Sequence, residues 1–100
     1  MAFNIDFQPK AEKEYLDAFH WYEEQQDGLG RRFEDAIERQ LFRIIENPDS
    51  YPIKKYQLRE SKVENFPYLV VYKIYPSQRI ILIVSVFHTS RKPSKKYRKR

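Results

Sequence analysis

The 100-residue chain contains no cysteine, one tryptophan, one methionine and only two glycines, Gly28 and Gly30. Without thiols there is neither a disulfide framework nor a thiolate metal site, which suits a reducing compartment. Two neighbouring glycines exclude a glycine-rich phosphate loop and leave little material for an oxyanion hole. No apolar run approaches the ~18–20 residues that span a bilayer. The opening "MAFNIDFQPK" lacks the charged and then apolar regions of a signal peptide. The expected location is therefore the cytoplasm. Acids are missing too, but only from one end: the last thirteen residues, His88 to Arg100, hold seven Lys/Arg and no Asp or Glu.

What is present points to a packed globule. The hydrophobic fraction is 41% and the aromatic fraction 16%, too apolar for a disordered chain. Residues 1–100 are expected to form one domain with its own core, ending in a basic tail at 88–100. The net charge of +5 is divided unevenly. Residues 1–49 hold six basic and twelve acidic residues, whereas residues 50–87 hold six basic and two acidic ones. A chain that is acidic first and basic second offers one side to polyanions and the other to basic partners.

Hydrophobic periodicity predicts the order β-α-α-β-β-β. "AFNIDF" alternates, with Phe3, Ile5 and Phe7 on one side, as in a short strand. Pro9 suits the first turn of a helix, where its missing N–H is not needed, and Glu12 and Glu14 complement the positive helix end. Ala11, Tyr15, Ala18, Phe19 and Tyr22 then recur at helical spacing. Trp21, beside Tyr22, is expected to seal the edge of the helical pair. After "QQDGLG", where Asp27 is a candidate cap, a second stripe runs through Leu29, Phe33, Ala36, Ile37, Leu41, Ile44 and Ile45. Pro48 ends it by forcing Asn47 away from helical geometry. "KKYQLRE" alternates Tyr56 and Leu58 against Lys55, Gln57 and Arg59, as in a half-buried strand. "YLVVYKIY" and "RIILIVSVF" read as central strands joined by a short turn. The fold class is α+β, a helical hairpin packed on one face of a small, mostly antiparallel sheet. The opposite face is expected to need the tail, a partner or a target to cover it.

Chemistry is sparse. His20 and Glu24 share a helix face, but two ligands do not make a metal site, so neither metal nor cofactor is expected. One cationic group stands out, formed by Lys54, Lys55, Arg59, His88, Arg91, Lys95, Lys96, Tyr97 and Arg98. Cleavage of RNA needs a base, a cation beside the phosphate and an acid for the leaving oxygen. His88 can serve as base or acid, Arg59 or Arg91 can neutralise the phosphate, and Tyr97 can stack on a base or donate a proton. Lys54, Lys55, Lys95, Lys96 and Arg98 would suffice for plain binding of a polyanion or target.

The segments "FHWYEEQQDGLGRRFEDAI", "IIENPDSYP", "NFPYLVVYKI" and "VSVFHTSRKP" resemble, in order and spacing, those of the RelE/ParE toxin superfamily of bacterial type II toxin–antitoxin (plasmid stabilisation) systems. The resemblance runs over nearly the whole chain. It implies a β-α-α-β-β-β fold and a cognate antitoxin that wraps and neutralises the toxin, with a homodimer and a hetero-oligomer both left open. RelE-like members act as metal-independent endoribonucleases on mRNA in the ribosomal A site. They use basic residues on the second strand, an Arg opening the third, and an Arg and Tyr near the C-terminus. ParE-like members poison DNA gyrase. Here the second strand offers Gln57 and Arg59, the third opens with Pro67–Tyr68 in place of the Arg, and Arg91 and Tyr97 can fill the tail positions. The "WYEEQ", "FPY" and "H-x-x-R-x-P" combination is more similar to the ParE-like branch. The implied function is thus a growth-inhibiting toxin with gyrase as target. An mRNA endoribonuclease using Arg59, His88, Arg91 and Tyr97 is the alternative, and a non-toxic antitoxin- or DNA-binding homologue a third reading.

Overall fold

The computed structural model describes residues 3–90. In chain order they form β1 (Asn4–Phe7), α1 (Pro9–Gln25), α2 (Leu29–Glu46), β2 (Arg59–Lys62), β3 (Tyr68–Tyr75) and β4 (Ile80–His88). Short 3-10 turns occupy Pro48–Ser50, Lys55–Gln57 and Pro76–Gln78. The sheet order is β1-β4-β3-β2, with β4 interior. Strand β1 lies parallel to β4, Asn4 opposite Ile80, and the other pairings are antiparallel. The expected order and α+β class are both present.

Pro9 occupies the first turn of α1 as expected. The link between the helices works differently from the sequence reading. Gly28, not Asp27, occupies the cap position, at φ 86°, and has no side chain to cap with. The carboxylate of Glu23 takes over, accepting the N–H groups of Gly28 at 3.0 Å and Gly30 at 2.9 Å. Two orphan donors of the helix start are thereby satisfied from the preceding helix. Gly30 is needed for close approach: a Cβ there would lie 2.8 Å from the Phe19 carbonyl and 2.9 Å from Glu23 Oε1.

The helices cover one face of the sheet. Ala11, Ala18, Phe33, Ala36, Ile37 and Ile44 meet Val63, Tyr68, Val70, Tyr72, Ile81, Ile83 and Val86, all buried. Each large side chain so buried contributes about 1.5–3 kcal/mol. Phe33 is the hub, with the rings of Tyr15, Tyr22, Phe66 and Tyr68 centred 5.9, 5.2, 5.3 and 5.2 Å away. Trp21 does not seal this cluster. It meets Tyr22 edge-on at 5.2 Å but is 56% exposed, because its position on α1 turns it outward.

The opposite face, expected from the sequence to need a cover, carries buried apolar side chains. Leu58, Val71, Val84 and Phe87 are buried there as a second, smaller cluster, with Leu69 and Leu82 packed against it. Strand β2 is also shorter than "KKYQLRE" suggests. Tyr56 and Gln57 are left-handed, at φ 60° and 63°, so alternation cannot continue through them, and Tyr56 is exposed. The segment before them folds back along β2: Ile53 bridges Arg59, the Lys54 N–H donates to the Leu58 carbonyl, and the Glu60 N–H donates to that of Pro52. This return covers an edge that would otherwise recruit other strands.

The pairing of β3 with β4 carries one irregularity. Val71 lies opposite Ser85, but Tyr72 lies opposite Ile83, so Val84 is an extra residue. Glu14, from α1, caps this bulge. Its Oε1 accepts the Ser85 hydroxyl at 2.8 Å and the Val86 N–H at 2.9 Å. Lys10 completes the group, 3.3 Å from Glu14 Oε2 and 3.2 Å from Ser85 Oγ.

Candidate functional site

Of the cations singled out in the sequence, Arg59 is the best defined, and it is engaged within the protein. It sits opposite Tyr72, on the helix side of the sheet. Its guanidinium donates to the carbonyls of Tyr51 at 2.6 Å and Asp49 at 3.1 Å, and to the Asp49 carboxylate at 3.4 Å. The side chain is only 17% exposed. Tyr72 pins the same segment by donating its hydroxyl to the Pro48 carbonyl at 2.7 Å. Burial pushes the Tyr72 phenol above its usual range, and the charge of Arg59 partly opposes that. Gln40 finishes the tie, donating to Ser61 Oγ and, at 3.2 Å, to the Tyr51 hydroxyl, while Arg43 donates to its carbonyl oxygen.

Arg59 is therefore built to hold residues 48–51 against the sheet. Arg59→Ala is expected to lower stability by about 1–2 kcal/mol, since it leaves the part-buried Tyr51 carbonyl unpaired. For 100 residues that is a fall in Tm of about 4–15 °C, read by circular dichroism. An unchanged Tm would show that these contacts contribute nothing.

The other candidates that fall among the described residues do not converge on Arg59. His88 pairs with Tyr68 at the far end of β4, two strands over and five residues along from the register of Arg59. At ordinary strand spacings that is about 10 Å across the sheet and about 16 Å along it. Lys54 and Lys55 are exposed at the turn before β2, not on the strand. Arg91, Lys95, Lys96, Tyr97 and Arg98 lie outside the described residues. Among the described residues no cluster of three metal-ligating side chains occurs, and no helix is long and apolar enough to cross a membrane.

His88 has a different neighbourhood, one the sequence reading missed. It closes one end of a depression of about 300 Å³ lined by Asp17, Ala18, Trp21, Tyr22 and Tyr68. Its ring stands edge-on to Tyr68 at 5.0 Å. Its Nδ1 accepts the Ser90 N–H at 3.1 Å, so the neutral ring carries its proton on Nε2. That leaves Nε2 alone to deal with anything in the depression. The sequence signal was there: Asp17 and Trp21, four apart, share one face of α1 outside the apolar stripe.

Comparison with known proteins adds what geometry alone leaves open. No curated protein matches the sequence. Among solved structures the fold is similar to the "Chromosomal ParDE TA system from P. aeruginosa", with a TM-score of 0.71 and 13% identity over 88% of this chain and 97% of that one. It is similar also to the isolated E. coli RelE toxin, with a TM-score of 0.67 and 18% identity over 96% and 93% of the two chains. A mutant of E. coli RelE in complex with an antitoxin RelBc peptide matches with a TM-score of 0.68 and 19% identity, over 100% and 98%. At these identities the structural likeness establishes the fold alone. The family itself follows from sequence: residues 5–93 match the profile described as "ParE toxin of type II toxin-antitoxin system, parDE". The chain belongs to that ParE toxin family, the ParE-like branch of the RelE/ParE superfamily.

Proposed function

We propose that this toxin arrests bacterial growth in the cytoplasm by docking onto an essential target, DNA gyrase for its branch, rather than by cutting mRNA. A cognate antitoxin holds it inactive. The observation that carries this reading is the commitment of Arg59. A ribonuclease needs a cation able to meet the charge that develops on the phosphate, and the Arg59 guanidinium is directed to Asp49 and Tyr51 instead. The third strand opens on Pro67–Tyr68, so its start offers no cation either. His88 is bordered by aromatic rings and the Asp17 carboxylate, which suits contact with a protein better than contact with a phosphodiester. The antitoxin is supported by the family, and by the RelE neighbour solved with its antitoxin peptide.

Expression of the chain alone in a bacterial host tests this directly. Growth arrest with DNA damage and intact mRNA is expected, reversed by co-expression of the antitoxin. Primer extension that maps A-site cuts, abolished by His88→Ala or Arg91→Ala, would replace the reading with the endoribonuclease. Harmless strong expression would favour a non-toxic homologue.

A further inference from the structure

We propose that the depression between α1 and the end of β4 is a socket for an arginine side chain presented by a partner protein. Ala18 and Tyr68, both buried, form the floor, Tyr22 and the exposed Trp21 form the wall, and His88 closes one end. At about 300 Å³ it is at the lower limit of ligand pockets, small for a cofactor but adequate for one side chain. Three aromatic rings attract a cation through their faces, and a planar guanidinium stacks on them better than an ammonium does.

Charge makes the choice of occupant. Asp17 stands on the rim, and Glu24 lies one turn beyond Trp21 on the same side of α1. Such a rim repels phosphates and so disfavours nucleobase stacking by a nucleic acid. Lys13 does reach Asp17, at 2.9 Å, but both side chains are well exposed. An exposed pair of this kind contributes little and gives way to a better-placed cation. The acidic rim of the socket comes from α1, while Tyr68 and His88 come from the basic half of the chain, and its occupancy does not depend on which essential target the toxin meets.

Trp21 is the only tryptophan, so its emission reports on the socket alone. The full chain is titrated with N-acetyl-arginine amide and, separately, with the neutral N-acetyl-citrulline amide. Saturable quenching by the arginine compound is expected, with the citrulline compound at least about fivefold weaker. Asp17→Asn should weaken arginine binding about three- to tenfold and leave citrulline unaffected. Lys13→Ala, which removes the competitor, should tighten arginine binding about twofold. Both substitutions are at exposed positions of α1 and leave the core intact. Equal responses to the two compounds, or no saturation, overturn the proposal. An arginine response that emerges only after Arg91→Ala would assign the socket to the chain's own terminus and overturn it as well.

Discussion

Glu14→Ala is expected to destabilise the protein by about 3 kcal/mol, a fall in Tm of roughly 15 °C. The carboxylate is only 13% exposed, and Lys10 beside it 24%. Removing it leaves three donors in difficulty: the Ser85 hydroxyl, the Val86 N–H and the Lys10 ammonium. The hydroxyl can turn elsewhere, but the N–H sits where the ladder is interrupted by Val84 and has nowhere to go. An unpaired buried donor costs about 1–3 kcal/mol, and an isolated inward charge more. Glu14→Gln preserves an acceptor and should lose only about 1–2 kcal/mol. Pairing Lys10→Met with Glu14→Leu should cost less than Glu14→Ala, because no charge is stranded. Denaturant unfolding of the four proteins decides the matter. A loss under about 0.5 kcal/mol for Glu14→Ala would mean that water replaces the carboxylate without penalty.

Phe33→Ala should cost more, about 3–5 kcal/mol. The ring is fully buried and touches four other aromatic rings drawn from α1, β3 and the loop before β3. These neighbours are large and mutually wedged, so the cavity cannot collapse easily. Against a total of about 5–15 kcal/mol for a protein of this size, the loss takes the chain close to its unfolding threshold. Thermal melts should show a broad drop, and growth inhibition should fall with it. Retention of a near wild-type melt would show that Tyr22, Phe66 and Tyr68 repack into the space. Phe33 is buried and Glu14 nearly so, so loss of toxicity in such variants reports folding.

The elements that bury a regular stripe were legible in the sequence. Ala11, Ala18, Phe33, Ala36 and Ile37 face the sheet because their spacing matches the helical turn. The β-branched runs of β3 and β4 likewise became paired strands. "KKYQLRE" failed because alternation over so few residues is weak, and backbone conformation at Tyr56 and Gln57 overrode it. The cap failed because Glu23, five and seven residues away from its donors, competes successfully with Asp27. The candidate site was the least legible part. Arg59 reads as a phosphate ligand until Asp49 and Tyr51 are known to fold back on it. Glu14 reads as a helix-end charge until Ser85, seventy-one positions later, is placed beside it. Composition supplies the charges but not their partners.

The parallel pairing of β1 with β4 has a consequence for biosynthesis. Asn4 is made long before its neighbour Ile80. Translation at about 5–20 residues per second keeps the leading strand waiting for seconds. Until β4 emerges, the sheet lacks one of its two interior members, and helix α1 lacks the Ser85 and Val86 groups that Glu14 grips. A ribosome that stalls or terminates before β4 thus releases a chain unable to close its central layer, and the cell meets a folded toxin only once that strand has been read.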